Sequence, residues 1–152
     1  MRLRERYEKV LETLRDLKEA SLEAPIIVEG RNDGKALRSL GVEGDIIMLN
    51  SGSSIFHLCE HIAGRYSAAV ILTDWDRRGG QLCRLLREGL AANGVRYDVE
   101  LRARLTRLCK KEVKDVEGLN SYVTRILAST KESFTPLSPQ EDSDDSPFDG
   151  WP

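Results

Sequence analysis

Two short apolar runs in this chain end in the same way. Pro25-Ile-Ile-Val28 runs into Glu29-Gly30, and Ala68-Ala-Val-Ile-Leu-Thr73 runs into Asp74-Trp-Asp-Arg-Arg-Gly-Gly80. Apolar runs of this length, rich in β-branched residues and free of polar alternation, read as strands covered on both faces, which is the pattern of a parallel sheet. Parallel neighbours need crossover helices, and the intervening segments carry helical spacing. The expected fold class is therefore α/β, Rossmann-like. It comprises a parallel sheet of about four strands with helices on both faces and right-handed crossovers.

A pass along the chain fills in that frame. Residues 1–23 read as an amphipathic helix, with Leu3, Tyr7, Val10, Leu11, Leu14 and Leu17 on one stripe. The first strand ends at Glu29, and a helix capped by Asn32 or Asp33 runs to Leu40 and stops at Gly41. A second strand over Asp45–Leu49 leads into Asn50-Ser-Gly-Ser-Ser54, followed by a helix through His61. The third strand, Ala68–Thr73, precedes a helix over Gln81–Ala92. A fourth strand near Val95–Leu101 alternates only partly, which suits a sheet edge. Arg102 onward is helical again, Asp115-Val-Glu-Gly118 marks a break, and a last helix covers Leu119–Leu127. The predicted division is an N-terminal helix over 1–23, a sheet domain over 24–129 and a tail over 130–152. Prolines, serines and acids without apolar period predict disorder in that tail.

At 152 residues the chain suffices for one compact domain. It has no apolar run near membrane-spanning length and no signal-peptide pattern, so a cytoplasmic protein without a membrane partner is expected. The widely spaced Cys59, Cys83 and Cys109 argue for reduced thiols over a disulfide framework. Residues 131–152 hold one basic and six acidic side chains, which leaves +3 on the rest of a chain whose formal charge is -2. A mildly basic body is compatible with nucleic acid.

The acidic strand ends carry the chemistry. Asp74 and Asp76, two apart on an extended segment, can project to one side, and ligands of open α/β sheets bind outside the carboxyl ends of the strands. Hard divalent cations prefer oxygen donors and need only one or two protein carboxylates beside water and a substrate phosphate. Glu29, Asp74 and Asp76 are thus candidate ligands for Mg2+, or Mn2+ in its place, and candidate catalytic acids. Gly30 and Gly79 permit tight turns where backbone amides approach a phosphate. Asp33 either caps its helix or joins the site. Arg77 and Arg78 can clamp phosphates, and Arg104, Arg107 and Lys111, with Lys114, form a basic helix stripe able to track a phosphate backbone. His57 and His61 share a helical face but lack further ligands nearby, so zinc is not expected.

These residues also carry a resemblance. Glu29-Gly-Arg-Asn-Asp33 after the first strand, followed by Asp74-Trp-Asp-Arg-Arg-Gly79 after a later one, resembles the Toprim domain, most of all its small stand-alone archaeal members. The likeness covers roughly residues 24–127. It implies that Asp74 and Asp76 match the family's metal ligands and that Glu29 matches its general acid or base. The implied activity is Mg2+-dependent phosphodiester chemistry on RNA or DNA, nuclease-like in kind. The alternative is a non-catalytic, metal-dependent module that binds nucleic acid or assembles with a larger complex or a second copy. Nothing in the chain supplies the extra domains of a self-sufficient topoisomerase or primase.

Overall fold

A computed structural model of the chain describes residues 1–49 and 54–134. Within them α1 (Leu3–Ser21), β1 (Ile26–Val28), α2 (Arg31–Ser39), β2 (Ile46–Met48), α3 (Ile55–Ala63), β3 (Ala68–Ile71), α4 (Arg77–Ala92), β4 (Arg96–Asp98), α5 (Glu100–Cys109) and α6 (Leu119–Phe134) follow one another. The four strands form one sheet in the order β2-β1-β3-β4, and every neighbouring pair is parallel. β1 and β3 sit in the middle, where their unbroken apolar side chains are covered from above and below. β4 lies at the edge, as its alternating Arg96-Tyr97-Asp98 requires.

Two helix layers sandwich the sheet, each around its own core. On one face Ile26, Val28, Val70 and Leu72 pack with Val10, Leu14 and Leu17 of α1, Leu37 of α2, Leu105 of α5 and Tyr122 and Ile126 of α6. On the other face Ile27, Ala69 and Ile71 pack with Cys59 and Ile62 of α3 and Leu86 and Leu90 of α4. Alternate strand residues thus divide between the layers, as a period of two dictates. α1 belongs to the first core and does not stand apart as a separate unit. Cys59, Cys83 and Cys109 are free and buried, and burial pushes the Cys109 thiol up to about 12.

Several element ends differ from expectation, each for a local reason. α4 starts at Arg77 rather than Gln81 because the Asp76 carboxylate caps it, accepting from the Gly79 amide at 2.7 Å. The fourth strand stops at Asp98, and Leu101 belongs instead to α5. There it is buried together with Leu105 and Cys109, a spacing of four that fits a helix face. α6 continues to Phe134, past the predicted Leu127. The loop 50–53 and the tail from 135 onward fall outside the described residues. Gly41, which closes α2, takes φ +98, a conformation that side chains other than glycine's strain to reach.

Candidate metal and phosphate site

Just past the carboxyl ends of β1 and β3 a side-chain hydrogen bond joins the two segments: the Asp74 amide donates to Oε2 of Glu29 at 2.9 Å. Residues 45 apart in sequence are joined because the two strands are immediate neighbours in the sheet. The turn after β3 is then folded tightly on itself. Thr73 Oγ1, fully buried, donates to the Gly79 carbonyl at 2.8 Å. A Cβ at Gly79 would stand 1.7 Å from the Asp74 carbonyl oxygen, so no other residue fits there without moving the backbone. Gly79 acts here by close approach. The expectation of a tight turn beside the acids is thereby met.

Each acid is held by one oxygen and keeps the other without a hydrogen bond among the described residues. Asp74 Oδ1 accepts from the Val116 amide at 2.9 Å, Asp76 Oδ1 from the Gly79 amide and Glu29 Oε2 from Asp74. Asp33 repeats the motif at the start of α2, its Oδ2 accepting from the Gly30 amide at 3.0 Å. Asp33 therefore caps its helix and is 7% exposed while doing so, with Gly30 as the cap residue. Backbone amides thus orient the acids, and four oxygens are left over for a ligand.

Burial first, and the neighbouring carboxylates after it, raise the acids' proton affinities. Burial pushes Asp74 up from 3.8 to about 6; the Val116 amide opposes this, and the nearby charges of Asp33, Asp115 and Asp76 add to it. Glu29 is raised by partial burial, lowered by its bond from the Asp74 amide, raised by Asp74 and Asp76 and lowered by Arg78. Asp33 is raised by burial, and Glu29, Asp115 and Glu117 add to the shift. The set fits a hard dication, which prefers oxygen donors and offsets like charges that otherwise repel. Among the described residues, however, no three His, Cys, Asp or Glu side chains already stand close enough to enclose an ion. An ion held by one or two carboxylates and a phosphate needs no such cage.

Sequence reasoning did not reach the parts contributed by the α5–α6 segment. Arg102 of α5 donates through Nε to the Thr73 carbonyl at 2.9 Å and through its terminal nitrogen to the Asp74 carbonyl at 2.7 Å. Val116 donates to Asp74, and Trp75 Nε1 donates to the Val113 carbonyl at 2.7 Å. Residues 102–116 therefore clamp the Asp74 loop at three points, while Asp115 and Glu117 add negative charge. Only the break at Asp115–Gly118 hinted at this in the sequence. Trp75, between the two aspartates, packs against the core on the α1 side of the sheet.

The basic candidates separate. Arg77 and Arg78 are exposed in the first turn of α4, and Arg78 acts electrostatically on Glu29. Arg104 points instead to Asp16 of α1, at 2.8 Å. Arg107 lies 3.7 Å from Glu100 on its own helix, and Lys111 is exposed just past the end of α5. Ser54 accepts from the His57 amide at 3.1 Å as the cap of α3.

Fold and site together define an open parallel α/β protein, Rossmann-like in layering, with a carboxylate cluster outside the carboxyl ends of its two central strands. The chain belongs to the UPF0292 family. It is 39% identical over 132 residues to the UPF0292 protein of Methanosarcina acetivorans, covering 86% of this chain and 91% of that one. It is 35% identical over 127 residues to that of Methanocaldococcus jannaschii, covering 84% and 99%. These relatives are archaeal. A solved structure, a putative protein from Aquifex aeolicus, is similar with a TM-score of 0.61 at 31% identity, over 70% of this chain and 94% of that one. No family model matches the chain. No helix among the described residues is long and apolar enough to cross a membrane.

Proposed function

We propose that the chain is a small Toprim-type protein whose acidic strand ends bind Mg2+ or Mn2+ and perform phosphodiester chemistry on RNA or DNA. One observation carries this reading: Glu29 and Asp74, brought together by the Asp74 amide, are each fixed through one carboxylate oxygen and open through the other. Capping or loop solvation alone accounts for one acid at a strand end. It does not account for two acids locked against each other at the cost of a raised proton affinity.

Asp74 and Asp76 would hold the ion by their open oxygens, with Glu29 beside them. A bound dication supplies charge neutralisation at a phosphate and a more acidic water. The chain's own residues then divide the remaining work. Glu29, with its proton affinity raised by burial above that of an ordinary glutamate, is suited to accept or return a proton. Arg78 beside Glu29 and Arg77 on the same turn offer guanidinium donors to phosphate oxygens. Arg102 and Val116 keep the Asp74 loop from relaxing away from Glu29 under mutual repulsion.

The test pairs wild type with Glu29→Gln and Asp74→Asn on structured RNA, single-stranded DNA and supercoiled DNA, each with Mg2+ or Mn2+. Metal-dependent cleavage that both substitutions abolish supports the enzyme. Metal-dependent binding without cleavage turns the assignment to a non-catalytic module. Neither cleavage nor metal-dependent binding overturns the proposal.

A further inference from the structure

A second cleft opens at the other end of the sheet, along the free edge of β2. Arg38, Asp45, Ile46, Ile47, His61, Arg65 and Tyr66 line a space of about 350 Å3. Asp45 precedes β2 and Tyr66 precedes β3, so the cleft lies toward the amino ends of the strands, away from the acids that follow β1 and β3. It lies between the layers, with Ile46 packing toward the α2 side and Ile47 toward the α3 side. Asp45 directs its carbonyl to the Ile26 amide of β1. By the period of two, Ile46 turns its own N–H and C=O outward along the unpaired edge.

The charges are arranged unusually for a surface groove. Arg38 is held in place by donating from one terminal nitrogen to the carbonyls of Val42 at 2.9 Å and Gly44 at 2.7 Å, which leaves its other donors open. Arg65 lies over the Tyr66 ring, 5.5 Å from its centre. The one carboxylate in the cleft, Asp45, accepts from the Tyr66 hydroxyl, and neither arginine forms a carboxylate ion pair among the described residues. Two positioned guanidiniums thus share a cleft without anionic partners. Guanidinium forks match phosphate oxygens geometrically and shed their water more readily than ammonium groups. The half-buried side chains of Ile46 and Ile47, one on each side of the β2 edge, offer apolar flanks to whatever the phosphate is attached to, and the volume falls within the small-molecule range of roughly 300–1,000 Å3.

We propose that this β2-edge cleft binds a phosphomonoester of nucleotide size, its phosphate between Arg38 and Arg65 and its organic part against Ile46 and Ile47. Such a ligand reaches the protein without metal and without the acidic strand ends, so the assignment stands independently of the proposed phosphodiester chemistry.

The experiment is a titration of AMP, inorganic phosphate and adenosine into the full-length protein with EDTA present, followed by calorimetry and by amide chemical shifts. Saturable AMP binding is expected, with shifts concentrated at residues 45–47 and 61–66 and adenosine at least about tenfold weaker. Arg65→Ala, which removes the guanidinium lying over the Tyr66 ring, should weaken AMP at least about tenfold, while Asp74→Asn leaves it unchanged. If AMP fails to saturate at millimolar concentration, or its shifts fall on residues 29–33 and 74–79, the assignment is wrong. The shift map needs no variant, so a poorly folded Arg65→Ala does not blunt the test.

Discussion

The two ends of the sheet handle charge in opposite ways. Past the carboxyl ends of β1 and β3, carboxylates crowd together and every anchor is a backbone amide: Asp74 for Glu29, Val116 for Asp74, Gly79 for Asp76 and Gly30 for Asp33. At the amino end of β2, two arginines are anchored by carbonyls and a ring, and the carboxylate present is occupied by a phenol. The lesson is that neither end neutralises its charge internally. Each orients groups mainly of one sign, carboxylates at one end and guanidiniums beside the single Asp45 carboxylate at the other, and leaves some of their donor or acceptor atoms open.

The largest way to break the contrast is at Gly79. Because a Cβ there would meet the Asp74 carbonyl oxygen at 1.7 Å, Gly79→Ala must displace the turn, and we expect a loss of about 3 kcal/mol in denaturant unfolding together with lost metal binding. AMP binding at the β2 edge should survive wherever the variant remains folded.

A smaller perturbation acts on the clamp. Arg102→Ala removes two hydrogen bonds from a charged donor to the Thr73 and Asp74 carbonyls, worth about 2 kcal/mol together. Hydrogen exchange should quicken first at the Asp74 amide, the one bound to Glu29. Unchanged protection there would show that the clamp does not position the loop.

Asp74→Asn sharpens the comparison through its sign. The folded chain holds the Asp74 proton up to about 6, whereas the unfolded value is 3.8. That contribution is full below the unfolded value and is lost as pH rises through about 6, so metal-free wild type should weaken across this window. Asparagine keeps an acceptor for Val116 without the charge. The variant should therefore be more stable than metal-free wild type at pH 7 by about 1 kcal/mol, the half-open site being screened by solvent. Equal stability across the window would remove the cost of burying the Asp74 charge, and the smaller repulsion from neighbouring acids, invoked here.

The smallest effect belongs to Arg104, which sequence placed on a phosphate-tracking stripe and which the fold ties to Asp16 at 2.8 Å. Arg104→Ala should cost under about 0.5 kcal/mol in thermal unfolding. If RNA or DNA binding falls in that variant as steeply as in Arg78→Ala, the stripe reading gains over the ion-pair one.

How much of this was legible follows from the range of the interactions. The apolar runs at Ile26–Val28 and Ala68–Ile71 announced central parallel strands, and weak alternation near Arg96 announced an edge, because burial on one or two faces is written directly in local pattern. Glu29 and Asp74 were legible as strand-end acids, and neighbouring strands were enough to join them. Asp76 was read first as a ligand and catalytic acid and not used to place a helix start, so the predicted start of α4 fell four residues late. Arg102, Val116 and Asp115 were not legible, since their role depends on how α5 and the turn before α6 fold back over the β3 loop. A backbone amide bonding to a distant carboxylate leaves no mark on residue type. The β2-edge cleft was invisible for the same reason: Arg38, Asp45 and Tyr66 become neighbours only when α2, β2 and the start of β3 are assembled.

The most direct measurement is calorimetric titration of metal-free protein with Mn2+ at pH 7, for wild type, Glu29→Gln and Asp74→Asn. The account predicts saturable uptake by wild type with protons released to the buffer, and affinities lowered at least about tenfold in both variants. Absence of uptake by a folded wild-type chain, or uptake that neither substitution weakens, would contradict it.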